Sequence, residues 1–323
     1  LLHEKPFAGI NGSGKHNNWS LSTDEGLNLL EPGHTPEQNL VFLFTLAAVL
    51  RGLSRHGGLL RACIASAGND HRLGANEAPP AIMSAFLGEQ LSRILDQIES
   101  GTPADSGERK VLDLGLAKLP ILNKDSTDRN RTSPLAFTGN KFEFRAVGAS
   151  QPIAVPLMVL NAVVGEALAE MNAMVEKERA AGKAGDLKAV IFNIVKVVVT
   201  EAKAVRFDGN GYGKEWREEA ERRGLPHTRN TPEALHAWES QSTWALFQRS
   251  GVLSKEELEA RIHIRHEQYV KTLNIEAQVL REMAETQILP AVGRDVKERA
   301  ETGIGLNAAR VSVPAAVQRA LDT

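Results

Sequence analysis

The 323-residue chain has a single cysteine, Cys63. That excludes an internal disulfide framework and suits a reducing compartment, so the cytoplasm is the expected location. Neither sign of charge is in excess: 38 Lys and Arg against 40 Asp and Glu leave a net charge of -2. Binding to a phosphate backbone normally shows as a strong basic excess, so this balance argues against nucleic acid as a partner. Long apolar runs are also missing. The longest, Leu40 to Leu50, is interrupted by Thr45 and falls well short of the roughly 20 residues that cross a bilayer. No membrane is expected, and the run reads as a buried helix. The chain lacks an initiator methionine and a basic, signal-like opening, and it begins inside a motif; its start is expected to be a cut in a longer chain.

What is present is ordinary globular composition, with 42% apolar and 24% charged residues in a length that suits one large domain or two. Thr35, Pro36 and Gln38 form a helix-start signature with a capping box, and Gly57 follows the expected end, which predicts a helix over 36–55. A second apolar element over 58–67, a polar loop over 68–76 and a stretch over 81–99 ending as helix come next. Segments 101–110 and 123–135 read as loops. Lys141-Phe142-Glu143-Phe144-Arg145 alternates strictly, which predicts a strand with two aromatics on one face and three charges on the other. Beyond about residue 150 helical periodicity dominates, with helices expected over 152–181, 186–205, 213–223, 232–249 and from 255 onward. Ser254 and Glu257 form the capping box of the last one, and Pro290 is expected to kink or end it. In that helix Leu258, Ile262, Tyr269, Leu273, Ala277, Leu280 and Ala284 share one stripe, which predicts packing within a bundle.

Four stretches invite a chemical reading. Gly9 to Lys15 satisfies the G-x-x-x-x-G-K half of a P-loop, but His16, Asn17, Asn18 and Trp19 follow where a Ser or Thr and a helix are required. Asp208-Gly209-Asn210-Gly211-Tyr212-Gly213 with Glu219 approaches a calcium-binding loop, and Tyr212 breaks the pattern; a Gly-rich turn between helices explains it. His263 and His266 stand one turn apart among charged neighbours and read as a solvated face. The charged face of the 141–145 strand is costly in a core but natural for lining an ionic cavity; taken alone, the strand reads first as an edge strand with one solvated face.

Taken together, three blocks resemble the glutamine synthetase family. Lys5 to Ser20, containing Asn11-Gly12-Ser13-Gly14-Lys15-His16, resembles its signature loop; Asn69 to Pro79 resembles its substrate-closing segment, worded as in the type III branch; Asp128 to Ser133 followed by Lys141 to Arg145 resembles its phosphate arginine and metal-glutamate strand. The resemblance implies that Asn11 and Gly12 contact glutamate, that His16 and Glu143 ligate a magnesium or manganese ion, and that Ser20, Asn18 and Lys141 serve the nucleotide site. It gives Arg72 to the glutamate carboxylate, Glu77 to the closing flap, Arg131 to ATP phosphate, and Arg145 to the transferring phosphoryl group and glutamate. The sequence departs from the common pattern in three places: Asn18 stands where many members have histidine, the Arg72-to-Glu77 interval is one residue shorter than in common bacterial enzymes, and Ala136 and Phe137 stand where a second arginine usually lies.

The implied reaction is ligation of ammonia to glutamate, driven by ATP through a γ-glutamyl phosphate. The implied fold is α+β: part of an antiparallel catalytic sheet with flanking helices over 1–150, then a helical domain over 151–323, in a homo-oligomer of stacked hexameric rings. Other carboxylate ligands and the ammonium site lie upstream in the family, so the 323 residues alone are expected to be inactive. Two alternatives stay open: a ligase for another amine, and a non-catalytic structural relative.

Overall fold

In the computed structural model, residues 14–74, 78–100, 132–182 and 187–313 are described, together with 315, 318 and 319. They divide into two compact units, one ending at His266 and one beginning at Glu267.

The first unit is organised around helix α1, Pro36–Cys63. Thr35 Oγ1 accepts from the Gln38 amide while Gln38 Oε1 accepts from the Thr35 amide, so the capping box forms as expected. The helix continues past the expected end. At His56 the backbone leaves helical geometry (φ -121°, ψ 21°) and then resumes, which joins the two elements that the sequence suggested separately. His56 Nε2 lies 2.7 Å from Glu166 Oε2, both side chains being buried, and so ties the kink to the neighbouring helix. Ser66 caps a short helix α2, Ala67–Arg72, where a polar loop was expected. A serine accepting from the amide three residues on is enough to start a turn of helix. After α2, strand β2 (Ala85–Phe86) leads into helix α3, Glu89–Ser100.

Strands β1 (Gly14–Trp19), β3 (Leu135–Phe137) and β4 (Phe142–Gly148) complete a sheet of order β1-β4-β3-β2. The β1–β4 and β3–β4 pairs are antiparallel, but β2 and β3 run parallel, so the sheet is mixed rather than purely antiparallel. Phe137, Phe142 and Phe144 point from its inner face into one hydrophobic core shared with α1, with α4 (Ala154–Ala180) and with α5 (Leu187–Glu201). The class is α+β. By length and mean hydropathy both Glu37–Cys63 and Ala154–Ala180 would suit a bilayer; 78% of the apolar window in the first is buried inside this chain.

Helices α6 (Lys214–Arg222), α7 (Thr231–Leu235) and α8 (Gln241–Ser250) follow. The single helix expected over 232–249 is broken because Ser240, in extended backbone, caps α8. Helix α9, Lys255–Met283, begins at the Ser254/Glu257 capping box and passes through a π turn at Ala284–Ile288 into α10, Leu289–Ala308. Pro290 therefore neither ends nor breaks the run: the wide turn before it absorbs the missing amide, and proline is at home in the first turn of α10. Along the expected bundle stripe Leu258 is buried and Ile262, Tyr269 and Ala284 are half-buried, while Leu273, Ala277 and Leu280 are exposed. In the second unit no described residue is buried.

Candidate active site

The strand pair β1–β4 sets the geometry. Asn18 stands opposite Glu143 and Asn17 opposite Phe144, yet Lys15 stands opposite Val147. Between these pairs β1 advances two residues and β4 advances three, so β4 carries a bulge opposite His16. β1 is anchored at both ends: Trp19 Nε1 donates to Asn161 Oδ1 on α4 at 2.8 Å, and Lys15 Nζ donates to the Gln151 carbonyl at 2.6 Å.

On the outer face of this pair His16 Nδ1 lies 3.7 Å from Glu143 Oε2. Arg145 reaches the same carboxylate oxygen with Nη2 at 3.0 Å and Nε at 3.1 Å. The imidazole is 46% exposed, the carboxylate 17% and the guanidinium 2%, so charge grades from an open rim to a sealed floor. Lys141, two residues before Glu143 and half-buried, begins the same alternating run, and Asn18 is exposed beside it. Residues 127 positions apart in sequence thus share one ionic patch.

The remaining expected residues divide into two sets. Asn11, Gly12, Glu77 and Arg131 lie outside the described residues. Ser20 and Arg72 are described and tied to backbone. Ser20 Oγ donates to Asn28 Oδ1 at 2.5 Å and to the Asn140 carbonyl at 3.3 Å, which pins the loop after β1 to the turn before β4. Arg72 is 2% exposed at the end of α2; its Nη1 donates to Asn69 Oδ1 and to the Ala146 carbonyl, each at 3.1 Å, and its Nη2 donates to the Arg145 carbonyl at 3.3 Å. Sequence reasoning passed over Asn69 itself, whose only local signal was Ser66 three residues earlier.

His16 and Glu143 suit a divalent cation by donor type, since an imidazole with a carboxylate fits magnesium or manganese. Their 3.7 Å separation is under twice a magnesium–oxygen bond of about 2.1 Å, so one ion can touch both. Among the described residues no group of three or more His, Cys, Asp and Glu converges, so these two supply part of a ligand set. The calcium-loop pattern is spent elsewhere: Asp208 Oδ1 accepts from the Leu87 and Gly88 amides, Asn210 Oδ1 from the Tyr212 amide, and Glu219 pairs with Arg222 and Arg223. His263 is exposed, as a solvated face requires, while His266 is half-buried with Nε2 3.6 Å from Glu239.

The glutamine synthetase C-terminal domain family matches residues 190–303. The chain is 49% identical over 302 residues, 94% of its length, to the type-3 glutamine synthetase of Dictyostelium discoideum. The chain is similar to glutamine synthetases over most of its own length. A glutamine synthetase of Bacteroides fragilis (strain YCH46) is 45% identical over 293 residues, 90% of this chain. The chain spans 41% and 40% of the lengths of these two glutamine synthetases. A solved structure titled GmaS/ADP complex aligns at 18% identity and a TM-score of 0.46, covering 89% of this chain and 49% of that one. The type III resemblance read from Asn69 to Pro79 agrees with the first of these relatives.

Proposed function

We propose that the chain contributes part of the active site of an ATP-dependent ligase that joins ammonia to glutamate. In this reading the glutamate side-chain carboxylate attacks the γ-phosphate of ATP, ADP leaves, and ammonia then displaces phosphate from the γ-glutamyl phosphate to give glutamine. The observation that carries it is the trio at the β4 bulge: His16 and Glu143 within 3.7 Å, with Arg145 on the same carboxylate oxygen. Phosphoryl transfer depends on positioning and on neutralising charge spread over the phosphate oxygens, and this trio combines two donors for a cation with a buried guanidinium. A magnesium or manganese ion, when bound, would supply further positive charge at those oxygens.

Each residue then has a task that its place supports. Glu143 holds Arg145 by two hydrogen bonds, which fixes the guanidinium plane before substrate arrives and lowers the cost of ordering it. His16, open to solvent, can take up an ion without displacing Arg145. Lys141 and Asn18 flank the strand pair where nucleotide would approach, and Ser20 fixes the loop beside them. Asn11, Gly12, Glu77 and Arg131 keep the roles implied by family resemblance: glutamate binding, flap closure and phosphate binding. The whole protein is proposed to be a cytoplasmic homo-oligomer of stacked hexameric rings.

The test is phosphate release by the intact protein. Release should require ATP, glutamate and ammonium together, with glutamine as the product. Release that needs another amine in place of ammonium, or none with any amine, would overturn the assignment.

A further inference from the structure

A β-bulge leaves backbone groups of its strand without ladder partners, and when such groups are buried they must be satisfied from elsewhere. At the β4 bulge this falls to α2. The Ala146 carbonyl accepts from Asn69 Nδ2 and from Arg72 Nη1, each at 3.1 Å, and the Arg145 carbonyl accepts from Arg72 Nη2 at 3.3 Å. Asn69 is the hub. It is 0% exposed, its second amide proton goes to the Ile64 carbonyl at the end of α1 at 2.8 Å, and its Oδ1 receives Arg72 Nη1. One side chain therefore ties the end of α1, the arginine of α2 and the bulge of β4 together.

The two carbonyls it holds, directly or through Arg72, belong to the residues that face His16 across the bulge. Slipping the bulge by one position would re-pair His16 and change where the Arg145 side chain leaves the strand. We infer that Asn69 is a positioning residue: through Arg72 and the Ala146 carbonyl it fixes the β4 bulge, and so the separation of His16, Glu143 and Arg145. This rests on the ligase reading for its catalytic consequence, but not for its effect on ion binding. Both N–H donors of the Asn69 amide are used by protein, its oxygen receives Arg72 Nη1, and the side chain is fully buried, so it touches no substrate.

The experiment replaces Asn69 by serine in the intact protein, since serine is too short to reach both carbonyls. Gln151→Ala is the comparison, because Gln151 Nε2 shares the Ile64 carbonyl at 3.2 Å while its Oε1 accepts from the Gly148 amide beyond the bulge. Binding is measured with Mn2+ alone, from the free-ion electron paramagnetic resonance signal. We expect Asn69→Ser to weaken Mn2+ binding about tenfold, the usual size of an outer-shell effect. The KM for glutamate should rise by a similar factor while the KM for ATP holds. Gln151→Ala should leave all three values near wild type. Asn69→Asp, which keeps the acceptor for Arg72 and loses both donors, should behave like serine. Folded Asn69→Ser with wild-type Mn2+ affinity and glutamate KM would overturn the inference, and so would equal losses in Gln151→Ala. Failure of both Asn69 variants to fold would also count against it, because a positioning role leaves the fold intact. If wild type shows no ligase turnover and Asn69→Ser still weakens Mn2+ binding, the clamp stands and the ligase reading falls.

Discussion

A Cβ on residue 14 would stand 1.9 Å from Arg72 Nη2 and 2.4 Å from its Cζ, so Gly14 is the residue that lets the Arg72 guanidinium lie against β1. No backbone conformation demands glycine there; the demand comes from the arginine. Because Arg72 is buried and held by backbone carbonyls, it has little room to retreat. Gly14→Ala should therefore cost about 1–3 kcal/mol as an overpacked site, read as a lower midpoint in urea unfolding. An alanine variant as stable as wild type would mean that Arg72 is free to swing aside.

Glu143 faces two partners at once, the His16 imidazole and the Arg145 guanidinium. Glu143→Gln keeps the shape and removes the charge, which leaves a guanidinium 2% exposed without its carboxylate. Breaking a buried pair from one side typically costs about 3–5 kcal/mol; the 17% exposure of Glu143 places this case toward the lower end. The same variant should lose Mn2+ binding by at least about tenfold. Retention of both stability and Mn2+ affinity would remove Glu143 from the ion site and leave it a surface residue.

The parts of the fold that could be read in sequence were those fixed locally. The Thr35/Gln38 and Ser254/Glu257 boxes placed two helix starts because cap and helix lie within four residues. Strict alternation over 141–145 gave β4 and the shared face of Glu143 and Arg145. Features set by distant contacts were not legible. The parallel pairing of β2 with β3, the bulge opposite His16 and the burial of Arg72 each depend on partners tens of residues away. Nothing in Gly68 to Asn76 announces that Asn69 and Arg72 serve β4. The exposed stripe of α9 shows the opposite failure: periodicity reports that a face is apolar, not what covers it.

Asp208 shows how a motif can be right in composition and wrong in use. Its carboxylate accepts from the Leu87 and Gly88 amides at 2.9 and 3.0 Å and from the Ser92 hydroxyl, so it closes the start of α3 from a loop 120 residues away. Negative charge at a helix N-terminus adds to the hydrogen bonds. Asp208→Ala should lower stability by about 1–2 kcal/mol, the size of a lost cap. Calorimetric titration of the wild-type protein with calcium should show no binding heat, since the carboxylate is already engaged. Calcium binding that vanishes in Asp208→Ala would restore the motif.

Cys63 is buried near the end of α1, its thiol donating to the Leu60 carbonyl, and burial pushes its pKa up from 9.0 to about 12. Arg265 and Arg61 pull the other way without reversing the effect. Below pH 9 the folded and unfolded chains both keep the proton, so Cys63 adds no pH dependence. Above it the unfolded chain releases the proton first, so stability must fall as pH rises, by at most about 1.4 kcal/mol per unit until the folded thiol also titrates. Lysine and tyrosine side chains in general titrate in the same range, and comparison with Cys63→Ala cancels their shared contribution. The stability of wild type relative to Cys63→Ala should be constant from pH 7 to 8.5 and shrink between 9 and 11. A gap that stays constant to pH 11 would mean that the folded thiol ionises as readily as the unfolded one, which the burial of Cys63 forbids.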